Sequence, residues 1–102
     1  MRRGTTPTIT CKITGADLSG SNIYITIQQG GTEITILNPT VETTEDGCIM
    51  VITLTQEQTL RLKKGVADIQ IRWVDPNGTA LATNVAQITV EKILRDGVIE
   101  YE

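Results

Sequence analysis

The chain contains no histidine and no phenylalanine, and its only aromatic side chains are Tyr24, Trp73 and Tyr101. Histidine is the commonest general base near neutral pH and the commonest protein ligand of zinc. The sequence also has no serine in a nucleophile-elbow pattern and no glycine-rich loop of the phosphate-binding kind. We therefore expect a noncatalytic protein that needs neither a metal nor another cofactor.

Carboxylates are the one remaining source of acid–base chemistry. Glu42, Glu45 and Asp46 lie close together, but they fall in a polar loop where water should surround them. A glycosidase would need two such groups in a walled cleft, and a chain of 102 residues leaves little room to build one. We interpret these three residues as solvated surface acids, which leaves no catalytic candidate.

Charge and hydropathy restrict the partners. Nine basic and 12 acidic residues give a net charge of −3. Five of the basic residues form two small groups, Arg2 with Arg3 and Arg61 with the lysines at 63 and 64, which we interpret as solvated ends of strands and of a helix. No apolar run approaches the roughly 20 residues that span a bilayer, and no hydrophobic segment follows the basic N-terminus as in a signal peptide. We expect no nucleic-acid partner, no membrane partner and no secretion by a signal peptide.

Only two cysteines are present. Cys11 alternates with Ile9 and Ile13, and Cys48 shares a face with Met50. Without a secretion signal the expected compartment is reducing, where thiols stay unpaired. We interpret both as small buried hydrophobic residues. Whether they are in contact, and so able to oxidise, stays open.

Isoleucine and threonine dominate the composition, and both are β-branched residues that fit a pleated sheet better than a helix. Period-two alternation predicts strands over 8–14, 22–29, 32–37, 48–54, 67–74 and 80–90, with a short edge strand around 41–43. The residues predicted to point inward include Ile23, Ile25, Ile27, Ile34, Ile36, Ile69, Ile71, Trp73, Ala86, Ile88 and Val90. Glycines 30 and 31 predict a two-residue hairpin turn.

One helical segment interrupts the strands. Thr55 with Gln58 forms a capping-box pattern, and the segment 55–64 carries its basic residues toward the C-terminal end. Gly65 is expected to close the helix in a left-handed conformation. Leu60 and Leu62 are expected to cover one end of the core.

These elements predict an all-β fold: an immunoglobulin-like antiparallel β-sandwich of six or seven strands with one helical crossover at about 55–64. A single domain covers residues 1–102. Residues 91–102 depart from the strand pattern and mix apolar side chains with charges. They either fold back on their own sheet or form a docking arm that pairs with a neighbouring subunit.

Several short motifs resemble one known family. They are the loop Asp17-Leu18-Ser19-Gly20, the strand Ile23-Tyr24-Ile25-Thr26-Ile27-Gln28, the segment Leu54-Thr55-Gln56-Glu57-Gln58-Thr59-Leu60 and the hairpin Asn77-Gly78 before Ile88-Thr89-Val90. The pattern is similar to the N-terminal domain of phage baseplate upper proteins and to small structural β-sandwich proteins of tailed phages and prophages of Gram-positive bacteria. It covers roughly residues 8–90.

The resemblance implies a noncatalytic structural or assembly protein of a baseplate, tail or head–tail module. Its partners would be other virion proteins or copies of itself in a homo-oligomer, and it would be found in the virion or in the bacterial cytoplasm before assembly. The candidate docking residues are Tyr24, Ile93, Leu94, Val98, Ile99 and Tyr101. The alternative is a carbohydrate- or cell-surface-binding module, for which Tyr24 and Tyr101 are the aromatic side chains not assigned to the core.

Overall fold

The computed structural model describes residues 1–101 as eight strands and one short helix. The elements are β1 (Thr8–Thr14), β2 (Asn22–Gln29), β3 (Thr32–Leu37), β4 (Val41–Thr43), β5 (Gly47–Thr53), α1 (Gln56–Leu60), β6 (Gly65–Val74), β7 (Ala80–Ala82) and β8 (Ala86–Val90). The predicted strands are confirmed, apart from the last, which the structure divides in two. Gln29 and Thr32 pair across the two glycines, as expected for a two-residue hairpin.

The strands form two sheets. One has three strands in the order β1-β5-β4, and the other has five, in the order β3-β2-β6-β7 with β8 also paired to β6. Every strand pairing is antiparallel. The predicted all-β class is therefore confirmed, whereas the immunoglobulin-like form of it stays a prediction.

The main core lies between the sheets. Ile23, Ile25 and Ile27 of β2 are at most 1% exposed, and Ile71 of β6 is 7% exposed. The first of two clusters joins the five-stranded sheet to buried residues of the other sheet, namely Cys11, Cys48, Met50 and Ile52. Trp73 is half-buried and packs against this cluster. Full burial of each isoleucine side chain contributes about 1.5–3 kcal/mol.

A second cluster fills the end of the molecule beside the helix. Its buried members are Ile27, Ile34, Leu54, Leu62, Ala67 and Val90. The expectation that Leu62 covers one end of the core is confirmed, because its side chain is fully buried. Leu60 is only half-buried.

The helix is shorter than predicted. Its start is confirmed: the Thr55 hydroxyl accepts from the Gln58 N–H at 3.1 Å, and the Gln58 side chain accepts from the Thr55 N–H at 2.9 Å. Its end is not, since α1 stops at Leu60. The chain then tightens through a bond from the Leu62 N–H to the Thr59 carbonyl, which turns Leu62 into the core. The three basic residues follow the helix, and Gly65, with φ 136°, begins β6 rather than closing α1.

The predicted strand 80–90 is interrupted by a β-bulge. Trp73 pairs with Leu81, but Ile69 pairs with Ala86, so the returning chain contains one extra residue. At the bulge the Thr83 N–H donates to the Ile71 carbonyl at 2.9 Å, and the Thr83 hydroxyl accepts from the Ile71 N–H at 3.1 Å. A side-chain oxygen thus takes the place of a backbone carbonyl in the ladder.

Burial along β8 is graded. Val90 is buried and Ile88 half-buried, but Ala86, which was expected to point into the core, is exposed. Ala86 follows the bulge at the outer strand of the larger sheet, and an open groove separates it from β1. The prediction for Ala86 was wrong because alternation shows which face a residue occupies but not whether a second sheet covers it.

Both cysteines are buried free thiols, which confirms their interpretation as small core residues. The β1–β5 register places Cys11 opposite Met50 and Cys48 opposite Ile13, so the two thiols occupy diagonal positions on neighbouring strands. Burial raises the pKa of the Cys11 thiol. A raised thiol pKa lowers the thiolate fraction and with it the reactivity.

Candidate docking surfaces

The C-terminal arm, residues 91–101, begins beside the N-terminal residues. Glu91 and Arg2 form a parallel β-bridge, and their side chains form an ion pair at 2.9 Å. The Glu91 N–H donates to the Met1 carbonyl at 2.6 Å, and the Arg3 N–H donates to the Glu91 carbonyl at 3.1 Å. The base of the arm is therefore attached to its own domain.

Arg3 connects the helix to the arm. Its guanidinium donates to the carbonyls of Leu60, at 2.8 Å, and Leu62, and to the Asp96 carboxylate at 2.5 Å. The side chain is only 18% exposed. A cation here satisfies carbonyls that the end of a helix leaves without partners. The prediction that Arg2 and Arg3 are both solvated was wrong for Arg3, because no local pattern reveals partners more than fifty residues away.

Two further contacts hold the arm. The Ile93 side chain lies against Gly4 and is half-buried. Farther along, the Gln56 amide donates to the Ile99 carbonyl and accepts from the Ile99 N–H, both at 2.9 Å. The arm thus folds back on the N-terminal segment and the helix rather than on a sheet.

The arm nevertheless directs most of its apolar side chains into solvent. Leu94 is 97% exposed, Ile99 78%, Val98 47% and Tyr101 fully. Of the five arm residues predicted to dock a partner, Ile93 is the one whose side chain packs against its own domain. Exposed apolar side chains on a segment held by a few polar contacts are typical of a surface that a partner covers.

Tyr24 lies apart from the arm, on the outer face of the five-stranded sheet. It is 44% exposed, and the register places Leu37 on one side of it and Arg72 on the other. A shallow cavity of about 190 Å³ adjoins Tyr24 and Arg72. Its lining consists of Asn22, Tyr24, Arg72, Trp73, Val74, Ala80 and Leu81.

A third surface lies on the flank of the sandwich and was not predicted from the sequence. Within residues 1–101, β1 pairs only with β5 and β8 only with β6, so each presents an edge to the same side. Between them runs an apolar groove of about 260 Å³, which we call the flank groove. Its lining comprises Ile9, Thr10, Cys11, Lys12, Ile13, Ile69, Gln70, Ile71, Thr83, Asn84, Ala86 and Ile88. Alternation identifies strands but not their neighbours, so it gave no signal of the groove.

The Asp17 carboxylate forms a small polar cluster in the loop before β2. It accepts from the Ser19 hydroxyl at 2.7 Å, the Ser19 N–H at 3.0 Å and the Thr43 hydroxyl at 2.9 Å. These bonds, chiefly those from Ser19, hold the pKa of the carboxyl below its usual range. The cluster ties the loop to β4.

The part of the chain that the structure describes, 1–101, contains no group of three or more His, Cys, Asp or Glu residues placed to hold a metal ion. Over the same range, none of its helical structure is long and apolar enough to cross a membrane. Comparison with known proteins found no matching family model, no similar curated protein and no similar solved structure.

Proposed function

We propose that this chain is a noncatalytic structural protein of a tailed phage or prophage, part of a baseplate, tail or head–tail module. It acts by associating with copies of itself or with other virion proteins. The observation that carries the proposal is the arm, where Leu94 and Ile99 are 97% and 78% exposed although the segment is anchored to the domain. Water makes such an arrangement unfavourable until a partner covers the apolar side chains.

The order of the strands supports an immunoglobulin-like assignment, which we also propose. In that fold the strands are lettered A to G in chain order. In space, strands B, E and D are neighbours in one sheet, and strands C, F and G are neighbours in the other, with C′ added beside C in the variable type. The orders β1-β5-β4 and β3-β2-β6-β7 follow the same scheme, with β1 in the place of strand B. β-Sandwich domains of this kind occur in many proteins that act by binding other proteins. The resemblance of the motifs to phage structural proteins is the reason for proposing a virion protein.

Size-exclusion chromatography with light scattering tests the association. The full chain is compared with a variant in which Leu94, Ile99 and Tyr101 are replaced by serine. These side chains are exposed, so the variant should keep its fold while its average mass falls toward that of one chain. A control replaces three exposed threonines outside the arm and outside β1, namely Thr35, Thr40 and Thr53, by serine. Monomers at every concentration, together with no retention of other tail proteins, would contradict the proposal.

A carbohydrate- or cell-surface-binding module is the second candidate. The cavity beside Tyr24 supports it, because an exposed aromatic ring adjoins Arg72 and Asn22, and their hydrogen-bond donors suit hydroxyl groups. Binding on a glycan array that Tyr24→Ala abolishes and Tyr101→Ala leaves intact would favour this function. Genes for tail or capsid proteins flanking the coding sequence would favour the first.

A further inference from the structure

We propose that the flank groove accepts residues 98–101 of a second copy of this chain as an added strand. The inference rests on the proposed function, since it names the partner and the place of association. Addition of an extended segment to an unpaired sheet edge is a common mode of protein recognition. Two strand edges border the groove, its floor is apolar, and the arm ends in an extended segment with apolar side chains.

The first edge belongs to β1. The Leu54 N–H donates to the Pro7 carbonyl at 3.0 Å, and the Gly15 N–H donates to the Asp46 carbonyl at 2.6 Å. In an antiparallel ladder the residues facing the partner alternate. Between positions 7 and 15, the odd-numbered residues therefore direct their backbone N–H and C=O groups toward β5. The even-numbered residues, such as Thr10, direct theirs toward the open edge. An incoming strand would meet a free backbone ladder.

The second edge belongs to β8, and the N-terminal residues occupy part of it. The Met1 ammonium donates to the Thr89 carbonyl at 2.8 Å, and the Met1 carbonyl accepts from the Glu91 N–H. By the same alternation the backbone N–H and C=O groups of Gln87 also point outward. Within residues 1–101 no strand pairs with β8 at this position. The N-terminal segment thus closes one end of the flank groove and leaves the other open.

The floor of the groove is apolar and incompletely covered. Ile9 and Ile13 of β1, and Ile69 and Ile88 of the other sheet, are half-buried, and Ala86 is exposed. In seven-stranded immunoglobulin domains a first strand lies beside strand B, whose position β1 takes here. Among residues 1–101, no strand occupies the equivalent position beside β1 between Thr8 and Thr14.

The arm has the chemistry that the groove requires. In Val98-Ile99-Glu100-Tyr101 the side chains of Ile99 and Tyr101 point to one face of an extended segment and Glu100 to the other. From the first Cα to the last, four extended residues span about 10 Å, which matches the distance along β1 from Thr10 to Ile13. The charges are also complementary, because the groove lining contains one cation, Lys12, and no carboxylate.

The contacts that now hold this part of the arm are weak enough to exchange. Ile99 is held by two water-exposed hydrogen bonds to the side chain of Gln56, and its own side chain is 78% exposed. In the groove of a second copy the segment would gain a backbone ladder and bury Ile99 and Tyr101. The base of the arm, held at Glu91, would not need to move.

A charge-swap cycle tests the pairing in the full-length chain. Lys12→Glu and Glu100→Lys should each weaken self-association about threefold to tenfold in sedimentation equilibrium, and the double variant should restore it. Glu33→Lys, an exposed substitution outside the groove and the arm, is the control that should leave association unchanged. Failure of the double variant to recover would overturn the proposal.

Photocrosslinking locates the contact. A benzoylphenylalanine replaces Tyr101, and equal amounts of ¹⁴N- and ¹⁵N-labelled chains are mixed before irradiation. Crosslinks of mixed isotope between residue 101 and peptides from 8–14 or 86–90 support the proposal. Self-association with crosslinks confined to other surfaces would contradict the strand insertion but would still support the proposed function. A chain that neither self-associates nor binds another tail protein contradicts both.

Discussion

The side chain of Gln56 holds the backbone of Ile99 as a neighbouring β-strand would. One amide donates to the Ile99 carbonyl and accepts from the Ile99 N–H, each at 2.9 Å, across 43 positions of sequence. A single half-buried residue of the helix therefore fixes the position of Ile99 in the arm. Because both bonds are exposed to water, the contact positions the arm without contributing much to the stability of the domain.

The first prediction concerns this contact. Gln56→Ala should leave the free energy of unfolding within about 0.5 kcal/mol of the original protein. Hydrogen exchange at the Ile99 amide should become up to about thirtyfold faster, since two bonds of about 1 kcal/mol each are lost and every 1.4 kcal/mol is a factor of about ten. Exchange measured by mass spectrometry on peptides of residues 91–101 checks it. Gln87→Ala, an exposed substitution on β8, should leave that exchange unchanged.

The second prediction concerns Gly47, where β5 begins beside the end of β1. A Cβ at this position would lie 2.0 Å from the Ile13 carbonyl oxygen and 3.0 Å from that of Ala16. Both atoms are backbone, so the strands would have to separate. Gly47→Ala should therefore lower the free energy of unfolding by about 2–3 kcal/mol or more.

Chemical denaturation measures this loss, and Gly31 provides a matched control. No atom lies within 4 Å of a Cβ built on Gly31, so Gly31→Ala should change stability by less than about 1 kcal/mol. Equal effects at the two glycines would show that the close approach at Gly47 does not constrain the fold.

The third prediction concerns Arg3. Arg3→Ala removes donors from the Leu60 and Leu62 carbonyls and should destabilise the protein by about 1.5–3 kcal/mol. Arg2→Ala removes a pair whose partners are each more than half exposed, and it should cost less than about 1 kcal/mol. Thermal or urea unfolding of both variants checks the difference. A larger loss of stability in Arg2→Ala than in Arg3→Ala would contradict the role of Arg3 as the donor to these carbonyls.

The fourth prediction concerns acid stability. Hydrogen bonds from Ser19 and Thr43 lower the pKa of Asp17 in the folded state. A carboxyl whose folded pKa lies below its unfolded value of about 3.9 stabilises the fold above that value, and the contribution is lost as the pH falls through the folded pKa. Asp17→Asn should therefore be less stable than the original protein at neutral pH, and the difference should shrink below about pH 4. Denaturation midpoints across this range test it. A difference that does not depend on pH would show that the charge of Asp17 is not involved.

The fifth prediction concerns the thiols. Cys48 is fully buried and Cys11 is 9% exposed, and burial raises the pKa of Cys11. Neither should react with a thiol reagent such as Ellman's reagent while the protein is folded, and both should react in denaturant. Rapid labelling of Cys11 in the native protein would show that the flank groove opens down to β1.

Much of the fold could be predicted from the sequence because the relevant signals are local. Alternation of Ile23, Ile25 and Ile27 with polar residues identifies a half-buried strand, and all three are buried in the structure. Thr55 and Gln58 are three residues apart, so the capping box is visible in the letters alone. The two adjacent glycines specify their hairpin for the same reason.

The sites were less predictable because they depend on contacts between distant residues. Arg3 belongs to the end of the helix although 57 residues separate it from Leu60. The β-bulge after Ala82 shifts the pairing by one residue, and the strand pattern does not contain that shift. Which of the five apolar arm residues packs on the domain also depended on Gly4, on a different segment of the chain.

The strands, the start of the helix and the apolar face of each strand can be read from the amino-acid order alone, since they follow from side-chain period and local backbone preference. Three features became known only from the fold: which edges remain unpaired, where the helix ends, and that the arm rests on Gln56 and Arg3. Those features depend on how two sheets stack and on the space left at their rims. No short window of residues contains that information.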